Sequence, residues 1–110
     1  MIAARFTLPA RRASETFELS FGGQNKLFHV TVGYYPNGDV GEVFISGAKA
    51  GSEVEAVARD GAVLLSIALQ YGVPLETIKH ALTREQDGSP STIIGAVVDQ
   101  LAVEWLTETQ

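Results

Sequence analysis

The chain has 110 residues, no cysteine and a formal net charge of −5, with 45 % hydrophobic and 19 % charged residues. That balance suits one globular domain with a single core; it excludes a disordered chain, a disulfide scaffold, thiolate metal sites and dithiol redox chemistry. The charge is unevenly spread: residues 1–13 hold Arg5, Arg11 and Arg12 and no acid, and the rest carry five basic and thirteen acidic residues. A body this acidic repels a nucleic-acid duplex, whose binding draws on neutralised phosphates, whereas a small nucleotide needs only one or two local cations. The start MIAARFTLPARR lacks the apolar core of a secretory signal, and no apolar run approaches the roughly eighteen residues of a membrane span. The expectation is a soluble, cytoplasmic protein with no membrane partner.

Residues 1–13 carry no clear period, and Pro9 argues against a helix, so they read as a flexible or partner-docked arm before a single domain over 14–107. From Glu15 the pattern alternates, with Phe17, Leu19 and Phe21 on one side and Thr16, Glu18 and Ser20 on the other, as in a half-buried strand. Gly22-Gly23-Gln24-Asn25 is a turn. Residues 26–35 form a second strand, with Phe28, Val30 and Val32 inward and His29 and Thr31 outward. Pro36-Asn37-Gly38-Asp39 is a strong turn signal, and residues 40–46 form a third strand. Three strands joined by short turns predict an antiparallel meander with one wet face.

After Gly47 the period changes. Ser52 with Glu55 three residues on is a capping box, so a helix is expected over 52–71. Val54, Val57, Ala58, Gly61, Leu64, Leu65, Ala68 and Leu69 lie at helical spacing, with Val63 and Ile67 widening the stripe; such a helix belongs at the centre against the sheet. Tyr71-Gly72-Val73-Pro74 ends it. A short helix over 75–82 follows, carrying Leu75, Ile78 and Leu82, and then a polar loop over 83–88. Ser89 is expected to cap a third helix with Pro90 in its first turn, its stripe being Ile93, Ile94, Val97, Val98, Leu101 and Trp105. Strands first and helices after make the class α+β, with three helices packed on one face of the sheet.

Few residues carry a signal for chemistry. Gly47, Lys49, Gly51 and Ser52 lie between a strand and a helix N-terminus, where unpaired N–H groups, glycines and a lysine suit an anion. The spacing G-x-K-x-G-S lacks the longer loop that wraps a polyphosphate, and Glu53 and Glu55 already occupy the first turn. The competing reading is plain strand-to-helix geometry. Ala68, Gly72 and Ile78 have helix-turn-helix spacing, yet Glu76, Thr77, Lys79, His80 and Arg84 make a thin face for DNA on an acidic body. His29 and His80 fall in different elements and predict no metal site. Pairs such as Glu15 with Glu18 and Glu53 with Glu55 read as solvated faces, and no G-x-S-x-G is present. Of the adjacent Tyr34 and Tyr35, one ring is expected to be free for stacking, and Trp105 reads as a core or dimer contact.

The order of several short motifs carries more. Leu8-Pro9 precedes the first strand, Val30-Thr31-Val32 and Glu42-Val43-Phe44 mark two strands, and Gly47-x-Lys49-x-Gly51-Ser52 opens the long helix. L-x-S-x-A-L-x-x-G-V over residues 64–73 and Ile78-x-x-x-Leu82 continue the series. Over roughly residues 8–106 this resembles the TSCPD domain, found near the C-terminus of adenosylcobalamin-dependent ribonucleotide reductases and as a separately encoded companion of split forms. The signature Thr-Ser-Cys-Pro-Asp falls on Asp87-Gly88-Ser89-Pro90-Ser91, so Pro90 is kept while serines stand for the cysteine and the aspartate. The cysteine-rich tail and the radical-generating barrel of the large enzymes have no counterpart here. The resemblance therefore implies a non-catalytic accessory module without a cofactor of its own. Its implied partners are a reductase large subunit, a nucleotide or phosphate at Gly47, Lys49, Gly51 and Ser52, and further copies of itself. The alternatives are a ligand-free oligomeric interaction module or a DNA-binding protein.

Overall fold

A computed structural model describes residues 4–23, 25–47 and 51–109, with side chains through residue 102. Three strands, β1 (Ser14–Phe21), β2 (Lys26–Tyr34) and β3 (Val40–Gly47), precede three helices, α1 (Glu53–Gln70), α2 (Leu75–Ala81) and α3 (Ile93–Thr109). The strands form one antiparallel sheet in the order β1-β2-β3. Phe17 lies opposite Val30 and Leu19 opposite Phe28; Val30 lies opposite Ile45 and Val32 opposite Val43. Directly opposed residues share a face, so the alternation seen in each strand merges into one apolar surface. The fold is α+β, and the helices cover that surface. Phe28, Val30, Val32, Val43 and Ile45 from the sheet join Ala58, Ala62 and Leu65 of α1 and Ile93, Val97, Val98 and Leu101 of α3 in a single buried cluster.

Two expectations are corrected. The third helix does not begin at Ser89: α3 starts at Ile93, and Thr92 caps it by accepting the Gly95 N–H at 3.1 Å. Pro90 instead sits in an isolated antiparallel bridge with Arg84. The apolar stripe of α1 coincides with its buried face only in part: Ala58 and Leu65 are buried and Leu69 packs against the core. Buried on α1 are Ala58, Ala62, Leu65, Ser66 and Gln70, whereas Val54, Val57, Val63 and Leu64 are exposed. The physical reason is how closely the helix approaches the sheet.

That approach is made by Ser66 and Gln70, which are buried polar side chains one turn apart. The Ser66 hydroxyl accepts the Val43 N–H at 2.8 Å and offers its proton to the Val43 carbonyl at 3.0 Å, with its own Ala62 carbonyl at 2.8 Å as a second acceptor. Gln70 Nε2 donates to the Gly41 carbonyl at 2.9 Å. The helix thus supplies side chains to β3 backbone groups that have no strand beyond them, and covers an edge that would otherwise invite pairing. Only small residues let the axis come near enough, which is why Ala58 and Ala62 face inward.

Gln70 also ties down residues 4–13. Its Oε1 accepts from Arg5 Nε at 2.6 Å, and its carbonyl accepts the Phe6 N–H at 2.8 Å. Tyr35 donates its hydroxyl proton to the Phe6 carbonyl, and the Arg12 guanidinium holds Glu42. The arm is therefore tethered to α1 and β3 at several points.

Replacing Ser66 by alanine leaves the buried Val43 N–H without its partner. A loss of roughly 1–3 kcal/mol is expected, the cost of an orphaned buried donor. Urea denaturation of Ser66→Ala should show an earlier midpoint with an unchanged slope, whereas Ser46→Ala, on the exposed sheet face, should change it little.

Candidate functional site

The strand-to-helix turn is built by conformational demands first. Gly47 ends β3 at φ +120°, where a Cβ would stand 2.7 Å from the Leu27 carbonyl oxygen, so no other residue fits. Gly51 has φ +81°, and its N–H donates to Glu55 Oε1 at 3.2 Å. The Glu55 N–H in turn donates to Ser52 Oγ at 3.2 Å. The Ser52 half of the capping box read from the sequence is in place, while the Glu55 carboxylate takes the Gly51 N–H rather than that of the N-cap residue. Arg59 Nη2 lies 3.3 Å from the same Glu55 carboxylate. An anion arriving here meets a Gly51 amide already engaged by a carboxylate, although the Ser52 hydroxyl proton is not spent in its bond to Glu55. Lys49, the charge on which the phosphate reading leans, lies outside the described residues, as does the Trp105 side chain.

The loop over residues 83–92 is a compact hydrogen-bonded hairpin. Asp87 Oδ1 accepts from the Ser89 N–H at 2.9 Å and from the Ser89 hydroxyl at 2.6 Å; these bonds hold its carboxyl below the usual carboxylate range. The Glu85 N–H donates to the Ser89 carbonyl at 2.8 Å, and Ser91 Oγ meets Glu85 Oε2 at 2.6 Å. Arg84 then bolts the hairpin to α3. Its Nη1 donates to the Gly88 carbonyl and to Asp99 Oδ2, both at 2.9 Å, and its Nη2 donates to Asp99 Oδ1 at 2.5 Å. This paired fork is the geometry in which arginine binds a carboxylate best.

A family model for the TSCPD domain matches residues 4–106. The chain belongs to the TSCPD domain family. Curated relatives include the vitamin B12-dependent ribonucleotide reductase of Rhodopirellula baltica, 42 % identical over 109 residues, which covers 93 % of this chain and 10 % of the relative. That of Agrobacterium fabrum is 37 % identical over 79 residues, covering 72 % and 6 %; that of Bradyrhizobium diazoefficiens is 30 % identical over 115, covering 94 % and 9 %. The chain thus spans about a tenth or less of these relatives. No solved structure matches it.

Within this TSCPD domain Ser89 and Ser91 serve as hydrogen-bonding groups of the turn. Among the described residues no group of three His, Cys, Asp or Glu is placed to hold a metal ion. His29 is exposed on the outer sheet face, and His80 lies 3.2 Å from Glu76 on the exposed side of α2. No described helix is long and apolar enough to cross a membrane. Of the groups considered for reading a duplex, Arg84 is committed to Asp99 and Glu76 stands against His80.

What sequence reasoning missed are two apolar depressions. One, of ≈ 690 Å³, lies between the arm, the β2–β3 turn and the α1–α2 turn, and is lined by Phe6, Tyr35, Val40, Val73 and Leu75 among others. Tyr35, weighed as a stacking ring, is on its wall. The other, of ≈ 770 Å³, runs along α1. The signal for the first was present in Phe6, an aromatic residue in an otherwise aperiodic arm.

Arg84 hydrogen bonds hold the Asp99 carboxyl below its usual range. A lowered acid contributes stability above its unfolded pKa, about 3.9, and loses it as pH falls through the lower folded value. Wild type should therefore exceed Asp99→Asn in thermal stability at pH 6, and the difference should shrink as the pH is taken below the unfolded value of about 3.9, as followed by differential scanning calorimetry. A difference that persists undiminished at pH 2 contradicts the assignment.

Proposed function

We propose that this TSCPD domain is a non-catalytic accessory module of vitamin B12-dependent ribonucleotide reduction, working in the cytoplasm by docking on the catalytic part of such a reductase. The observation that carries this reading is the coverage: relatives named as that reductase hold this domain as about a tenth of their length, and none of the described side chains forms a reactive constellation. The arm-side depression supplies a docking face. Phe6 is 70 % exposed at its rim, an aromatic group with a large apolar area to bury and a backbone already fixed by Gln70 and Tyr35. Titration calorimetry of this chain into the Rhodopirellula baltica reductase, prepared without its matching segment, should give saturable binding at micromolar concentration or below. Phe6→Asp should weaken it at least tenfold, while Lys49→Ala should leave it unchanged. No heat and no co-elution at high concentration would reject the docking role.

A second reading places a nucleotide or phosphate at Gly47, Lys49, Gly51 and Ser52. It is favoured by the geometry of Gly51 and Ser52 at the start of the 18-residue α1, where helix N–H groups and Lys49 act together. Because Glu55 engages the Gly51 amide, Glu55→Gln should strengthen binding of nucleoside di- or triphosphates, and Lys49→Ala should weaken it about tenfold or more. Silence from every nucleotide, or an affinity indifferent to Lys49→Ala, removes this reading and leaves the docking role standing.

A further inference from the structure

The sheet has two edges, and the domain treats them differently. On β3 the outward backbone groups of Gly41 and Val43 are taken by Gln70 and Ser66. On β1 no side chain does the same. Tyr34 donates its N–H to the Ala13 carbonyl at 2.9 Å, and the register of the two strands continues from there without a break. That sets the phase of the ladder: Glu15, Phe17, Leu19 and Phe21 turn their backbone groups to β2. Ser14, Thr16, Glu18 and Ser20 turn theirs away, since the direction alternates along an antiparallel strand. Those four residues are exposed, and none of their outward N–H and carbonyl groups bonds to another described residue.

We infer that β1 is a docking edge for an extended segment of a partner protein, which joins the sheet as an added antiparallel strand with basic side chains on the outer face and apolar ones on the inner face. The backbone ladder gives such a complex its affinity, and the side chains give it its choice of partner. The edge is regular enough to accept a strand. β1 runs for eight residues, about 27 Å, with no proline, no lysine and no bulge against β2, the devices that commonly close an edge. On its inner face Phe17, Leu19 and Phe21 are only half-buried at the margin of the core. An added strand therefore finds apolar surface to cover as well as backbone to pair.

Charge selects the occupant. β1 holds Glu15 and Glu18 and no base. Glu18 is exposed near the middle of the edge; a lysine or arginine opposite it makes a favourable cross-strand pair, whereas a carboxylate there is repelled. The same acids count against a second copy of the chain. Two copies of β1 pair only where outward-turned residues oppose one another, which leaves two registers that use most of the strand. One puts Phe17 on the two-fold axis and sets Glu15, on the inner face, against Leu19 of the other copy. The second sets Glu18 directly against Glu18. The edge is thus guarded by charge against its own kind and open to a strand of opposite sign. β1 contributes no residue to the arm-side depression, so this inference and the docking role stand or fall separately.

The probe is a short synthetic peptide of alternating lysine and valine, blocked at both ends and titrated into the full chain while amide chemical shifts are followed by NMR. Saturable shifts should centre on Ser14, Thr16, Glu18 and Ser20. In the antiparallel register the lysine residues carry the bonded N–H groups, so N-methylation at the lysines should abolish binding, and N-methylation at the valines should change it by no more than about twofold. A peptide with glutamate in place of lysine should not bind. Thr16→Pro removes an N–H that the domain does not use, so it should keep the wild-type circular dichroism spectrum and lose the peptide. Glu18→Lys should weaken binding by about tenfold or more. Four results would each overturn the inference: no saturable shift at millimolar peptide, equal loss from both methylation patterns, an affinity unmoved by Thr16→Pro, or a dimer of the chain alone that Thr16→Pro dissolves.

Discussion

The hydroxyl of Ser66, set between the N–H and the carbonyl of Val43, fixes the relation between helix and sheet on which the rest of this domain depends. A three-stranded meander has two edges, and a bare edge is a template for unwanted pairing. Here β3 is closed by side chains of α1 rather than by another strand. One turn later Gln70 extends the closure to Gly41 and, through its remaining amide oxygen and its carbonyl, fastens the N-terminal arm. Two neutral polar residues thus join sheet, helix and arm, with no buried side-chain polar atom left unpartnered among the described residues.

This closure decides what the helix can show to the outside. Bringing α1 near a strand edge demands small inward residues, and Ala58, Ala62 and Ser66 provide them. The bulk of the helix's hydrophobicity, in Val54, Val57 and Leu64, is then displaced to the far side. The face of α1 that carries Ala58, Ala62 and Ser66 holds the domain together, and Val54, Val57 and Leu64 stay exposed. The Arg84–Asp99 fork plays the corresponding part at the other end. It fixes the hairpin over residues 83–92 against α3.

Strand periodicity made the sheet legible, because Phe17, Leu19, Phe28, Val30, Val32, Val43 and Ile45 alternate cleanly and the turns at Gly22 and Asn37 are strong. The capping box of Ser52 and Glu55 placed the start of α1, and family membership was readable from the order of short motifs. The face of α1 was legible only in part. Hydropathy ranks valine and leucine above alanine and serine, so the stripe caught Ala58 and Leu65 but took in exposed Val54, Val57 and Leu64 and passed over Ala62, Ser66 and Gln70, on a helix whose packing is limited by distance rather than by apolar area. Ser89-Pro90 looked like a helix start because serine caps and proline begins helices. The Asp87 side chain captures Ser89 first and leaves capping to Thr92. At the strand-to-helix turn the sequence offered phosphate chemistry and helix capping on the same residues, and the capping bonds are the ones whose geometry is now described.

Hydrogen–deuterium exchange at the Val43 amide tests the central claim most directly. If Ser66 closes the β3 edge, this outward-facing N–H exchanges as slowly as amides in the middle of β2, and Ser66→Ala speeds its exchange selectively while β2 stays protected. Exchange of Val43 in the wild-type protein at the rate of an open edge amide would contradict the account.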